Sequence, residues 1–276
     1  MINLSVIIPS RESSYLQKTI DDLLAKAESE IEIIVVLDGY WPKDYNWTDP
    51  RLKIIHLGAP GISRGMRAAI NSGMAIALGE YVMKTDEHCM FDQGFDVKLA
   101  ADCQDNWVVI PRRYRLDADS WKIIEDGRPP VDYMVIENRE GYLHGTEDKK
   151  RAVERKEFLI DDTQTFQGSC WFLKRKYWEK IGPMDDVNYG TFSNEAQEIG
   201  NKTWLSGGRV VVNKKTWYAH WHRDSRGYGF THKQQEDYNQ GIKKGREFAT
   251  DFWLNNKWQD RTHDFTWLVK KFGRKI

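Results

Sequence analysis

Asp86, Glu87 and His88 close an apolar run, residues 81–85, with side chains suited to holding a metal ion. At an extended strand end alternate side chains point the same way, so Asp86 and His88 share a side and Glu87 faces the other. A carboxylate oxygen and an imidazole nitrogen aimed at one point suit Mn²⁺ or a similar divalent ion such as Mg²⁺. By itself a D-x-H triplet reads equally as a solvated strand end, so its meaning rests on the residues around it. Downstream, His220 and His222 offer further imidazoles. Arg223 and Arg226, followed by Gly227 and Gly229, form a segment able to close on phosphates.

The hydrophobic pattern supplies the elements that must position these groups. Residues 4–8 and 31–37 are continuous apolar runs, the pattern of strands covered on both faces. Residues 52–57, 81–85 and 107–111 read as three more strands, 15–27 as a helix with Leu16, Ile20, Leu23 and Leu24 on one face, and 62–78 as a helix stopped by Gly79. This alternation predicts an α/β fold with a mostly parallel sheet. Ligands of such sheets gather at the carboxyl ends of the strands, where Pro9, Ser10, Arg11, Glu12, Asp38 and the D-x-H triplet all fall. Farther on, 166–173 reads as a strand interrupted at Gly168, 176–181 as a short helix, 195–205 as a helix stopped by Gly207-Gly208, and 210–212 as a strand. The dense charge run 147–156 is expected to be exposed and mobile, and the last forty-five residues helical. There is no internal repeat, Walker A sequence or G-x-G-x-x-G.

With 276 residues, 40% apolar and 30% charged, the chain has the composition of a globular protein with a sizeable core. No apolar run approaches the roughly 20 residues of a membrane span, and residues 5–9 read as a strand, not as part of a signal peptide. Three cysteines without a C-x-x-C pair point to a reducing cytoplasm and away from structural zinc. The net charge of zero hides an asymmetry: from Asn201 onward sixteen Lys/Arg face seven Asp/Glu. Such a surplus implies either an anionic partner or a merely basic surface.

With these residues in place, the chain resembles the GT-A nucleotide-sugar glycosyltransferases of the family 2 type, and most closely the catalytic domain of the polypeptide N-acetylgalactosaminyltransferases. The resemblance spans roughly residues 3 to 230. Ser5 to Glu12 is similar to the first strand and its nucleotide-facing loop, and Glu32 to Asp38 to the second strand, whose terminal Asp holds the uracil base in the family. Asp86 and His88, followed by Cys89, match the family's metal motif. Gly168 to Gly182, with Trp171, matches the acceptor-side strand and helix. Glu195 to Glu198 ahead of Gly207-Gly208 matches the acceptor helix, and Tyr218 to Arg223 the segment that supplies a third metal ligand, aligned at His220.

The resemblance implies a UDP-sugar donor contacted by Pro9, Arg11, Glu12, Asp38, Arg223 and Arg226. It implies Mn²⁺ on Asp86, His88 and His220, with His222 the alternative, and an acceptor beside Trp171, Glu195 and Glu198. It divides the chain into a catalytic unit, 1–230, with nucleotide (1–111) and acceptor (112–230) halves, and a helical basic extension, 231–276. Leu37 and Ile70 depart from the pattern; Ile70 replaces an Arg, leaving Arg64 or Arg67 to supply any positive contact. Ala196 stands where inverting members carry the general-base Asp, which points to a retaining reaction with Glu195 orienting the acceptor hydroxyl or stabilising positive charge. A saccharide acceptor leads. The basic C-terminal third, Arg112-Arg113-Tyr114-Arg115 and the absence of a lectin segment keep a hydroxymethylated base in DNA, as in phage-type DNA modification, as the alternative. Two further readings are a zinc hydrolase on His220 and His222, and a non-enzymatic relic that only binds sugar nucleotides.

Overall fold

The computed structural model describes residues 2–11, 14–42, 45–190, 192–222 and 232–275, apart from the side chains of 232–235. In chain order the first half contains β1 (Leu4–Ser10), α1 (Leu16–Lys26), β2 (Ile31–Asp38), β3 (Leu52–Leu57), α2 (Met66–Ala75) and β4 (Tyr81–Thr85). Then come β5 (Cys89–Phe91), α3 (Phe95–Ala101), β6 (Trp107–Asp117), β7 (Lys122–Ile123), β8 (Met134–Arg139) and β9 (Tyr142–Glu147). The remainder is α4 (Lys149–Glu154), β10 (Ile160–Asp162), β11 (Cys170–Lys174), α5 (Arg175–Ile181), α6 (Glu195–Leu205), β12 (Arg209–His220), α7 (His232–Leu254) and α8 (Phe265–Lys271).

The main sheet runs β10-β12-β6-β11-β4-β1-β2-β3. β4, β1, β2 and β3 are parallel, and β12 is parallel to β6. β11 lies antiparallel between β4 and β6. Every residue of β1 and β2 is buried, which is why both read as unbroken apolar runs. α1 buries Leu16, Thr19, Ile20 and Leu23 against one face. α2 packs closely on the other: a Cβ at Gly73 would come within 2.6 Å of the Ile7 side chain.

Several elements differ from expectation for physical reasons. α2 starts at Met66, not at residue 62, because the Asp38 carboxylate ties down Ser63, Arg64 and Gly65 ahead of it, and Gly65 has φ 95°. It ends by Ala75, and the Leu78 N–H donates to Glu32. β12 runs to His220 instead of stopping at 212, with a register shift between Asn213 and Trp217. The charge run 147–156 is not a loose segment: Asp148 caps α4, and Arg151 and Arg155 both grip Asp161, at 3.0 and 2.8 Å. The β8–β9 hairpin was not foreseen; it turns on Glu140 (φ 52°) and Gly141 (φ 84°), a primed turn whose non-glycine member gives little signal.

The C-terminal helices are part of the main core, where Ala249, Trp253, Phe265 and Leu268 are buried with Trp204 and Leu205 of α6. The charge asymmetry has a structural counterpart, because C-terminal cations pair with acids earlier in the chain. Lys202 binds Glu198, Arg209 and Lys271 bind Asp162, Lys215 binds Asp102, and Arg274 binds Asp148. Among the described residues no helix is long and apolar enough to cross a membrane.

Candidate active site at the strand ends

The connection from β4 to β5 carries the D-x-H triplet and is pinned on both sides. The Asp86 N–H donates to the Ser169 carbonyl (2.9 Å), and the Trp221 N–H donates to the His88 carbonyl (3.2 Å). The full length of β12 sets His220 opposite Cys89 in antiparallel register with β5. His220 Nε2 therefore lies 3.1 Å from Asp86 Oδ2, and the His88 and His220 rings are 4.9 Å apart. One ligand atom from each of Asp86, His88 and His220 lies within 4.8 Å of the others. His222 stands perpendicular to His220 and is held by Arg113 (Nη1 to Nε2, 2.8 Å), outside that cluster.

The electrostatics suit metal binding. Burial would raise the Asp86 carboxyl, but the Lys84 ammonium and the His220 hydrogen bond hold it well below the usual carboxylate range. Burial lowers His220, only partly offset by Asp86, and burial with His220 and Arg113 nearby takes His222 down to about 4. The neutral imidazole so favoured is the metal-binding form. One carboxylate and two neutral imidazoles fit a divalent ion that accepts oxygen and nitrogen ligands. Lys84, buried in β4, contacts Asp86 Oδ1 and donates to the Gly168 carbonyl at 2.7 Å. The sequence reading overlooked it, although a lysine inside an apolar strand was the available signal.

A cavity of about 310 Å³ opens over this cluster, and Pro9, Ser10, Arg11, Asp38, Glu87 and Glu195 help to line it. Glu87 accepts from the Ser10 hydroxyl and the Arg11 N–H (3.1 Å), which fixes the end of β1. Asp38 lines the cavity, yet its carboxylate accepts from Ser63 Oγ (2.5 Å) and the N–H groups of Arg64 (2.6 Å) and Gly65 (2.9 Å). Its structural work is thus to hold the loop before α2. Arg64 is exposed and is not among the lining residues. Glu12, Arg223 and Arg226, with Gly227 and Gly229, lie outside the described residues.

Three expected contacts are corrected by burial. Arg67 has a 2% exposed side chain and lies beneath Glu195, so it is not positioned as a surface contact for a donor. Trp171 is fully buried and stacks on Trp178 (5.6 Å), which leaves no face for an acceptor. Glu198 is turned inward to Arg67 Nε (3.1 Å), the Asp185 N–H (2.9 Å) and Lys202 (2.9 Å). Glu195 keeps its place on the cavity wall, 3.7 Å from Arg67 Nη1. α6 starts there because Asn194, one of the few residue types that tolerate it, adopts a left-handed conformation (φ 56°).

The model of the glycosyl transferase family 2 matches residues 5–182. Mouse polypeptide N-acetylgalactosaminyltransferase 3 is 22% identical over 222 residues, 75% of this chain and 34% of the mouse protein. An uncharacterised glycosyltransferase of Bacillus subtilis, EpsJ, is 29% identical over 109 residues, 37% of this chain and 30% of EpsJ. A crystal structure of GalNAc-T7 with UDP, GalNAc and Mn²⁺ superposes with a TM-score of 0.72 at 14% identity, over 98% of this chain and 56% of that one. Staphylococcus aureus TarS (1–349) in complex with UDP-GlcNAc superposes at 0.59 and 16% identity, over 98% of this chain and 70% of that one. The aligned stretches cover only 34% and 30% of the lengths of these two curated relatives. Its mostly parallel sheet with flanking helices is the GT-A fold.

Proposed function

Since the chain belongs to glycosyl transferase family 2, we propose that its strand-end cavity binds a UDP-sugar and transfers the sugar to an acceptor hydroxyl. The observation that carries this reading is the Asp86–His88–His220 cluster on the cavity wall. The occupants of similar folds support it: UDP with Mn²⁺ in GalNAc-T7 and UDP-GlcNAc in TarS. Asp86, His88 and His220 would hold the ion, which when bound supplies Lewis-acid charge to the pyrophosphate and makes UDP a better leaving group.

The chain's own groups do the rest. Lys84 keeps Asp86 ionised, and Glu87 and Asp38 fix the two loops that border the donor side of the cavity. Glu195 orients the acceptor hydroxyl. Ala196, buried beside it, offers no base, so the reaction proceeds with retention. The acceptor oxygen bonds to the anomeric carbon on the face that UDP leaves, as the bond from that carbon to the β-phosphate oxygen breaks. The hydroxyl proton passes to the departing phosphate oxygen.

A saccharide acceptor fits better than DNA, because the cations expected to meet phosphates are engaged. Arg112 pairs with Asp132 and Arg115 with Asp126, while Arg113 holds His222. UDP release from a panel of UDP-sugars, with Mn²⁺ and with EDTA, tests the proposal. UDP binding without turnover of any donor would leave a sugar-nucleotide-binding relic, and zinc-dependent hydrolysis without UDP-induced thermal stabilisation would favour a hydrolase.

A further inference from the structure

A second chamber of about 280 Å³ adjoins the first and shares Gln167, Gly168, Phe192 and Glu195 with it. Its other walls come from α6, the β8–β9 hairpin and α7, through Asn194, Gln197, His144, Leu143, Ile242 and Arg246. The shared Glu195 places the chamber on the acceptor side of the reacting centre. Phe192, 37% exposed and stacked on Tyr238 (6.2 Å), offers an aromatic face where the two chambers meet, and Asn194 and Gln197 add amide groups. An apolar ring face with amides nearby suits the two-sided surface of a sugar ring.

Of the two charged side chains that line this chamber, Glu195 faces Arg67 (3.7 Å), and the acids nearest on the adjoining surface are paired elsewhere, Glu137 with Arg139 (3.2 Å) and Glu247 with Lys243 (4.0 Å). Arg246 is half-buried and has no ion pair or hydrogen bond among the described residues. His144 lies on the same wall, and burial, then Arg139 and Arg246, hold its imidazole below its ordinary range against the opposing Glu137. A guanidinium with no partner among the described residues, at the wall of a polar chamber, suits a carboxylate or phosphate.

We infer that this second chamber is the acceptor site and that it takes a saccharide bearing an acidic group, a uronate or a phosphate, paired with Arg246. The inference rests on the glycosyltransferase reading for the transfer step but not for binding. The bond-forming step is the one above: the acceptor oxygen joins the anomeric carbon, UDP leaves, and the hydroxyl proton departs with it.

The test is a ligand-observed NMR titration of the full chain with methyl β-glucuronide, glucose 6-phosphate and the neutral methyl β-glucoside. At least one charged probe should bind about tenfold more tightly than the glucoside, the size of one charge-assisted contact. Arg246→Gln should erase that difference and Arg246→Lys should retain most of it, with unfolding midpoints recorded to show that both variants fold. Preference for the glucuronide identifies a uronate acceptor, and preference for glucose 6-phosphate a phosphorylated one. Equal binding of the glucoside, binding of none of the probes, or a preference that survives Arg246→Gln overturns the inference. UDP release from the donor panel is read separately, so an inactive protein that still selects the charged probe would refute the enzymatic reading alone.

Discussion

The Arg67 guanidinium sits between two carboxylates of α6, with Nε 3.1 Å from Glu198 and Nη1 3.7 Å from Glu195. The Tyr189 ring lies against it at 4.1 Å. One buried cation on α2 thus holds the inward-facing Glu198 by a hydrogen bond and faces the cavity-lining Glu195 at ion-pair distance, linking α2 to α6.

Arg67→Met should therefore act in two ways. It leaves Glu198 buried with Lys202 as its remaining charge partner, a loss on the order of 3 kcal/mol in stability, read by urea unfolding. It also frees Glu195, so turnover should fall even where the protein remains folded. Arg67→Lys keeps the charge without the planar fork and should recover stability better than activity. Unchanged stability in Arg67→Met would show that Lys202 alone compensates Glu198.

Arg67 also marks where the sequence stopped being readable. Residue type pointed to a donor contact, but type does not report burial, and the same blindness put fully buried Trp171 on an acceptor surface. The parallel half was legible because strands covered on both faces leave unbroken apolar runs, as β1 and β2 do. β12 was cut short at Asn213 and Lys214 because their polarity is satisfied by distant partners. Asn213 donates to Asp102 (3.1 Å), and Lys214 donates to the Arg155 carbonyl (2.8 Å). No local window contains those partners. His220 was accessible only through family resemblance, since its proximity to Asp86 depends on that strand running to its full length.

The metal reading predicts that Asp86→Ala abolishes turnover, by about a thousandfold or more given the several kcal/mol a Lewis acid contributes. Because Asp86→Ala also takes the ion-pair partner from buried Lys84, its unfolding midpoint is recorded beside the assay, and Asp86→Asn, which keeps the side-chain volume, should lose turnover as well. His88→Ala and His220→Ala should follow, whereas His222→Ala should retain metal dependence, since His222 lies outside the cluster. EDTA should silence the wild-type protein and Mn²⁺ restore it. Full activity in excess EDTA would sink the assignment.

Stereochemistry provides an independent check. With Ala196 at the position of the usual base, an α-linked UDP-sugar should yield an α-linked product, visible in the anomeric coupling constant of the new bond. A β-linked product from the wild-type protein would mean that Glu195 itself serves as the base.

The last prediction concerns the basic surplus. Each phosphate contact with duplex DNA contributes a slope of about −0.9 in log K against log salt, so six such contacts would cost roughly three powers of ten between about 50 and 200 mM salt. The cations suited to that role are mostly spoken for: Arg112 by Asp132, Arg115 by Asp126, Lys271 by Asp162 and Arg274 by Asp148. Breaking several ion pairs to reach a duplex would offset much of the gain from counterion release. Gel-shift titrations with unmodified and hydroxymethylated duplexes should therefore show no retention at either salt concentration. Strong retention at low salt with a steep slope, and a preference for the hydroxymethylated duplex, would reverse the choice of acceptor and require a target base drawn out of the stack into the cavity.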